Sequence, residues 1–181
     1  DPGLLILPTH RLVSGFQGLK AEELANRLAP EFELQVVGEG DAGLEAAAAA
    51  TEGSDEQDVL AFGTVADGKW TVARLRSDAT MDKLAADHGA DWRSLGVSIL
   101  RVLVLDHLLA PLAKEQSTRY VHLASEVRDV VAEKGCDLAC LVPPASMAHV
   151  EAIASALETM PPKSTYFYPK LLTGMVFNPI R

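Results

Sequence analysis

The sequence predicts an α/β domain with α+β features: a mixed sheet, flanking helices, one antiparallel hairpin and a C-terminal strand-helix-strand-helix unit. Three observations carry that prediction. Short apolar or alternating runs recur between segments of helical spacing, the pattern of strands interleaved with helices. Asp67-Gly68 stands between two such runs, where Asp-Gly signals a hairpin turn. Residues 119 to 158 then spell strand, helix, strand, helix, a crossover unit whose two strands are expected to be parallel. The 181 residues suit a single domain, 1–181, with 48% hydrophobic and 23% charged residues and no bias toward disorder.

Leu4-Leu5-Ile6-Leu7 is all apolar and reads as a buried strand. It ends in Pro8-Thr9-His10-Arg11-Leu12-Val13, where His10 and Arg11 either face a crevice or form a polar edge turn. Lys20 to Ala29 has Leu24 and Leu28 on one face, Glu22 and Glu23 in its first turn, and Pro30 as its stop, so it is a helix. Phe32 to Val37 is a strand. Gly38-Glu39-Gly40-Asp41-Ala42-Gly43 follows, then an alanine-rich helix from Leu44 to Thr51.

That order of strand, G-x-G-x-x-G and helix is formally the dinucleotide-binding arrangement. Glu39 and Asp41 would set two negative charges beside a pyrophosphate, and the segments that follow form a hairpin. A flexible glycine loop is the better reading. Glu52 to Gln57 is an acidic surface loop, and Asp58 to Val65 and Trp70 to Leu75 are the hairpin strands.

A polar segment with a short helix near Met81 to Ala86 leads to Ser94–Leu109, apolar most of the way round and read as a central helix, with a strand as the alternative that its β-branched residues leave open. Arg119 to Leu123 is a strand with Tyr120 and His122 on one face. A helix from Ser125 to Lys134, capped by Ser125, follows it. Cys136 to Val142 is a buried strand. Met147, Val150, Ile153, Ala154 and Leu157 mark one face of an amphipathic helix, and Leu172 to Pro179 is a closing strand.

The net charge of −9 repels phosphate backbones, and no basic patch offsets it, so nucleic acid is not an expected partner. No apolar run approaches the roughly 18 residues of a membrane span, and no signal peptide is expected. Cys136 and Cys140 read as buried thiols in a reducing cytoplasm. Asp1-Pro2-Gly3 is not a translation start, so a longer parent protein is expected.

Chemistry concentrates in Met160-Pro161-Pro162-Lys163-Ser164-Thr165-Tyr166-Phe167-Tyr168-Pro169-Lys170-Leu171. Lys163, Ser164 and Thr165 offer an ammonium, two hydroxyls and backbone N–H groups, which suit a phosphate or carboxylate. Tyr166 and Tyr168 share a side in extended form. Lys163-Ser164 is similar to the end of a P-loop, but the glycines are missing and two prolines remove donors. The alternative is that this stretch seals a core edge, with lysines as solvated trim.

This stretch, with Tyr120-Val121-His122, Leu141-Val142-Pro143-Pro144, Leu7-Pro8-Thr9-His10-Arg11 and Leu95-Gly96-Val97-Ser98, resembles the domain of unknown function 1015 family of prokaryotic proteins. The resemblance is tightest from Arg119 onward and only in outline from Gly38 to Trp70. It implies a longer protein with a D-G-H-H-R type motif upstream, similar to one in ParB-like proteins that bind nucleotides. By that resemblance this chain is the supporting C-terminal half, and the missing N-terminal half is its partner. No catalytic residue follows from the family.

The functional expectation is an anion or nucleotide site built from Lys163, Ser164, Thr165 and Tyr166, with His10, Arg11 and His122 as neighbours. The implied cofactor is a nucleotide with magnesium, and the reaction a phosphoryl transfer or a related nucleotide reaction in the intact protein. The alternative is a non-catalytic domain that serves structure or homodimerisation.

Overall fold

The structure, a computed structural model, describes residues 5–52 and 56–170. β1 (Leu5–Leu7) pairs antiparallel with β8 (Tyr166–Tyr168) in a separate two-stranded sheet. β1 was expected to be buried, but Leu5 is 56% exposed, because a two-stranded ribbon at the rim has no layer to cover it.

The main sheet uses β2 (His10–Ser14), β3 (Phe32–Glu39), β4 (Val59–Thr64), β5 (Lys69–Leu75), β6 (Ser117–Val121) and β7 (Leu138–Leu141). Their order is β3-β5-β4-β7-β2-β6, and every neighbouring pair is antiparallel. The α+β character expected from the hairpin is therefore dominant, and among the described residues the pairing is antiparallel throughout. β6 and β7 do run in the same direction, joined by α6 (Ala124–Ala132), but β2 lies hydrogen-bonded between them. His10 and Arg11 are thus not an edge turn. They open a buried strand covered on both sides.

Alternation along the strands sends successive side chains to two apolar layers. On one face Val13, Phe62, Leu138 and Cys140 pack with α1 (Ala21–Leu28), α3 (Ala79–Leu84), α4 (Ala90–Ser94) and a central helix. That helix begins as a short α-turn, α5 (Gly96–Ser98), and continues as a ten-residue π-helix, Ile99–Leu108. The apolar stretch predicted a central helix here, and the wider coil is new. On the other face Leu12, Ala61, Ala139 and Leu141 pack with α2 (Gly40–Glu52) and α6.

The glycine run is not a flexible loop. β3 continues to Glu39 and α2 starts at Gly40. A Cβ on Gly43 would lie 2.6 Å from the Gly38 carbonyl carbon and 2.8 Å from Trp70 Cδ1. Glycine is needed there so that strand and helix can touch, and the β4–β5 hairpin that follows rules out the dinucleotide arrangement.

Two further corrections concern the C-terminal helices. Ser125 lies inside α6, and the cap comes from Glu126, whose Oε2 accepts from the N–H groups of His122 and Leu123 at 2.8 and 2.9 Å. In α7 (Met147–Ser155) only Ile153 of the expected inward face is buried, while Met147 is 56% exposed and, just beyond the helix, Leu157 is 95% exposed. Both cysteines are buried free thiols, as expected. The predicted closing strand from Leu172 to Pro179 lies outside the described residues. Among the described residues no helix is long and apolar enough to cross a membrane.

Candidate functional site

Arg11, His10, His122, Lys163 and Tyr166 come together at the N-terminal end of β2, with Arg11 and His10 on opposite faces of it. Arg11 shares a face with Val13, toward the π-helix, and His10 shares the opposite face with Leu12. The Met160–Lys170 stretch reaches this end of the sheet through the Lys163 carbonyl and the Tyr166 ring.

On the π-helix side, Arg11 is 7% exposed. It lies opposite Cys140 of β7 and Tyr120 of β6 in the strand registers. Its Nη1 donates to the Thr9 carbonyl and its Nη2 to the Lys163 carbonyl at 3.1 Å. The guanidinium carbon lies 5.8 Å from the centroid of the Tyr120 ring. Burial lowers the Arg11 pKa to about 10, against the opposing pull of Tyr120 and Cys140, so it stays cationic at neutral pH. Among the described residues no carboxylate pairs with it.

Lys163 reaches Arg11 through its backbone, in a turn that holds Lys163 at φ +59°, a conformation that favours glycine or asparagine. The Lys163 side chain itself is exposed, Ser164 is buried and Thr165 half-buried.

The His122 ring stacks on Tyr166 with centroids 3.8 Å apart. Nδ1 of His122 lies 3.1 Å from the Pro8 carbonyl and 3.4 Å from Thr9 Oγ1. Lys170 Nζ lies 4.1 Å from the centroid of the Tyr166 ring. His10 Nδ1 accepts from the Val142 N–H at 3.3 Å, which fixes the proton of the neutral ring on Nε2. That Nε2 is buried without a partner among the described residues. Burial, then Arg11 and His122, push the His10 pKa down to about 4, outweighing Glu126, so the ring is neutral at pH 7.

Arg11 opens onto a cleft of about 240 Å³ whose walls include Ser98, Trp92, Tyr120, Pro161 and Pro162. Trp92 and the wall role of Tyr120 were not singled out from sequence, and Ser98 was named only within the family resemblance, without a role. Ser98 is a lone hydroxyl in an apolar run, a weak signal when the chain is read alone. A wider groove of about 750 Å³ lies over Glu33, Gln35 and Arg74. It offers no comparable cation, because Arg74 is already paired with Glu56 and Asp58 at 2.6 and 3.0 Å. No group of three His, Cys, Asp or Glu among the described residues is placed to hold a metal ion.

The fold is similar to that of a conserved hypothetical protein from Pyrococcus furiosus, with a TM-score of 0.51 and 17% identity over 92% of this chain and 57% of that one. It is also similar to two variants of a free serine kinase in complex with AMP, each with a TM-score of 0.50 and 17% identity over 92% of this chain and 55% of theirs. The chain therefore spans little more than half the length of these structures. No curated protein matches its sequence. Residues 1–98 match the family described as protein of unknown function (DUF1015), so the match falls on the N-terminal half and not on the stretch from Arg119 that the motifs put foremost. That match covers more than half of the sequence, and the chain belongs to the DUF1015 family.

Proposed function

We propose that the chain carries an oxyanion-binding site, of phosphate or nucleotide class, where Lys163, Ser164, Thr165 and Tyr166 cross the end of β2 beside His10, Arg11 and His122. In the longer protein the site would serve a phosphoryl transfer or a related nucleotide reaction. Arg11 carries this reading. A buried cation is costly unless it is paired. The partners of Arg11 are two carbonyls and the face of a phenol ring, which supply no charge. Arginine has five N–H donors. Two are used by these carbonyls, and a planar fork with donors to spare matches a phosphate or carboxylate. The His122–Tyr166 stack adds a ring surface beside it. Magnesium would enter with the nucleotide, held by phosphate oxygens and water. The AMP in the two kinase structures is compatible with this reading.

A thermal-shift panel of ATP, ADP, CTP, inorganic phosphate and free amino acids, with and without magnesium, tests it. A ligand at 100 times its dissociation constant adds about 2.7 kcal/mol, which raises the midpoint by about 5 to 10 °C for a domain of this size. A shift with a phosphate-bearing ligand that disappears in Arg11→Lys and weakens in Lys163→Ala supports the proposal. A flat panel with folded protein refutes it.

The exposed side of α7 favours a second reading, an interaction module that docks on a second copy or on the rest of the longer protein. Met147 and Leu157 lie uncovered there while Ile153 alone is buried. Sedimentation of the chain over a range of concentrations tests this, since a strictly monomeric species would count against self-association.

A further inference from the structure

We infer that the cleft beside the start of the π-helix is the ligand chamber of this site, and that it takes one carboxylate or phosphate group carried on a short apolar or aromatic body. This rests on the oxyanion reading above and narrows it to a ligand class. Two polar groups on different walls of the cleft lack what an oxyanion would supply. One is Arg11, on β2, charged and without a carboxylate. The other is Ser98, fully buried at the end of α5, whose Oγ has no hydrogen-bond partner among the described residues. A helical serine normally bonds back to a carbonyl three or four residues earlier. Here the hydroxyl is left over, and leaving a buried hydroxyl unpaired is unfavourable.

The rest of the wall sets the body of the ligand. Trp92, stacked on His88 with centroids 3.7 Å apart, and Tyr120 line the cleft, and Pro161 and Pro162 close the side formed by the signature stretch. Prolines offer no N–H, so that wall can hold an apolar group and cannot cradle a second phosphate. Arg101 also lines the cleft, but it is paired with Asp106 at 2.6 Å and largely exposed, so it can steer an anion without gripping it. A volume of about 240 Å³ falls below the roughly 300–1,000 Å³ of pockets that enclose drug-sized ligands. One ring with one oxyanion fills that space, so of a larger ligand such as a nucleotide only one end would enter it. The π-helix belongs to this picture. Its i to i+5 pattern, still present where the Leu109 N–H meets the Val104 carbonyl at 2.9 Å, widens the coil that forms one wall.

Trp92 makes the chamber observable. The only other tryptophan, Trp70, is buried in the opposite layer. Phenyl phosphate, phenylacetate, neutral benzyl alcohol, inorganic phosphate and ATP are titrated at fixed ionic strength, reading tryptophan emission and the unfolding midpoint. The expected result is a saturable emission change and a raised midpoint with phenyl phosphate or phenylacetate, and neither with benzyl alcohol. Trp92→Phe loses the emission change and keeps the midpoint response. Arg11→Lys weakens binding at least tenfold, and Ser98→Ala several-fold without lowering the midpoint of the free protein. If Arg11→Lys fails to fold, Ser98→Ala decides alone. A response to ATP or phosphate with none to either phenyl compound overturns the chamber and leaves the oxyanion site standing. No response to any anion overturns both. Phenyl-compound binding that Ser98→Ala leaves unchanged also overturns the chamber.

Discussion

Acid should destabilise this protein through one ring, that of His10. In the unfolded chain a histidine titrates near 6.5. In the fold, burial and the nearby Arg11 and His122 push His10 down to about 4, against the smaller opposing effect of Glu126. The folded pKa lies below the unfolded one, so between those values the unfolded chain binds the extra proton. Stability is therefore complete above about pH 6.5 and falls as the pH drops toward 4. The fall from 6.5 to about 4 is worth about 3 kcal/mol, at about 1.4 kcal/mol for each pH unit. That is a large share of the roughly 5–15 kcal/mol that holds a typical domain together.

Two carboxylates also contribute stability that acid removes. Glu126, hydrogen-bonded to two backbone N–H groups, and Asp67, bonded by Thr64 and backbone N–H groups against its own partial burial, are both held below the usual carboxylate range. Comparison with His10→Asn removes their contribution, because the asparagine oxygen can still accept the Val142 N–H while the titration is gone. Urea unfolding at pH 7.5 and pH 4 in both proteins gives the double difference. The wild type should lose about 3 kcal/mol more than His10→Asn on acidification. Equal losses would show that His10 is not held neutral by the fold and would refute the reasoning.

The remaining predictions are independent of that ring. Gly43→Ala should cost at least about 1–3 kcal/mol by urea unfolding, because its Cβ would meet the Gly38 backbone and Trp70 within 3 Å. An unchanged midpoint would mean that the β3–α2 junction is looser than described. Burial pushes the Cys136 thiol up to about 11, and Cys140 further still, so native protein at pH 8 should react with a thiol reagent only as fast as it unfolds. Rapid labelling of either cysteine would contradict their place in the core. Leu157→Lys should change monomer stability by less than about 0.5 kcal/mol, because the side chain is 95% exposed. The same substitution should weaken any self-association seen by sedimentation, and an unchanged assembly would remove α7 from the interface.

Local chemistry made part of this fold legible in the sequence. Asp67-Gly68 announced the β4–β5 hairpin, and Pro30 with the Leu24–Leu28 face announced α1. The order of β6, α6 and β7 was also readable. Their pairing was not, because β2, more than a hundred residues upstream of β6, enters between them. Such a partner is chosen by tertiary packing, and no local signal reports it.

The same long-range choice hid β2 itself. Thr9, His10 and Arg11 look like a surface triplet and are buried only because strands lie on both sides and layers on both faces. The motif stretch pointed to the right end of the sheet. It did not tell that Lys163 would contribute its carbonyl to Arg11, nor that alternation would part Arg11 from His10. The role of Ser98, named only within the family resemblance, was hidden for the opposite reason: a single hydroxyl in an apolar helix carries no such signal until it is seen unpaired in the cleft that a buried cation lines.

The central claim is that Arg11 meets an oxyanion, and its own side chain can report that directly. Arginine Nε–H resonances can be followed in ¹⁵N-labelled protein, with the Arg11 signal assigned by its loss in Arg11→Lys. Inorganic phosphate is titrated against sodium chloride at matched ionic strength. The account predicts a saturable shift of the Arg11 signal with phosphate and none with chloride. An Arg11 signal that ignores phosphate while the protein stays folded would contradict it.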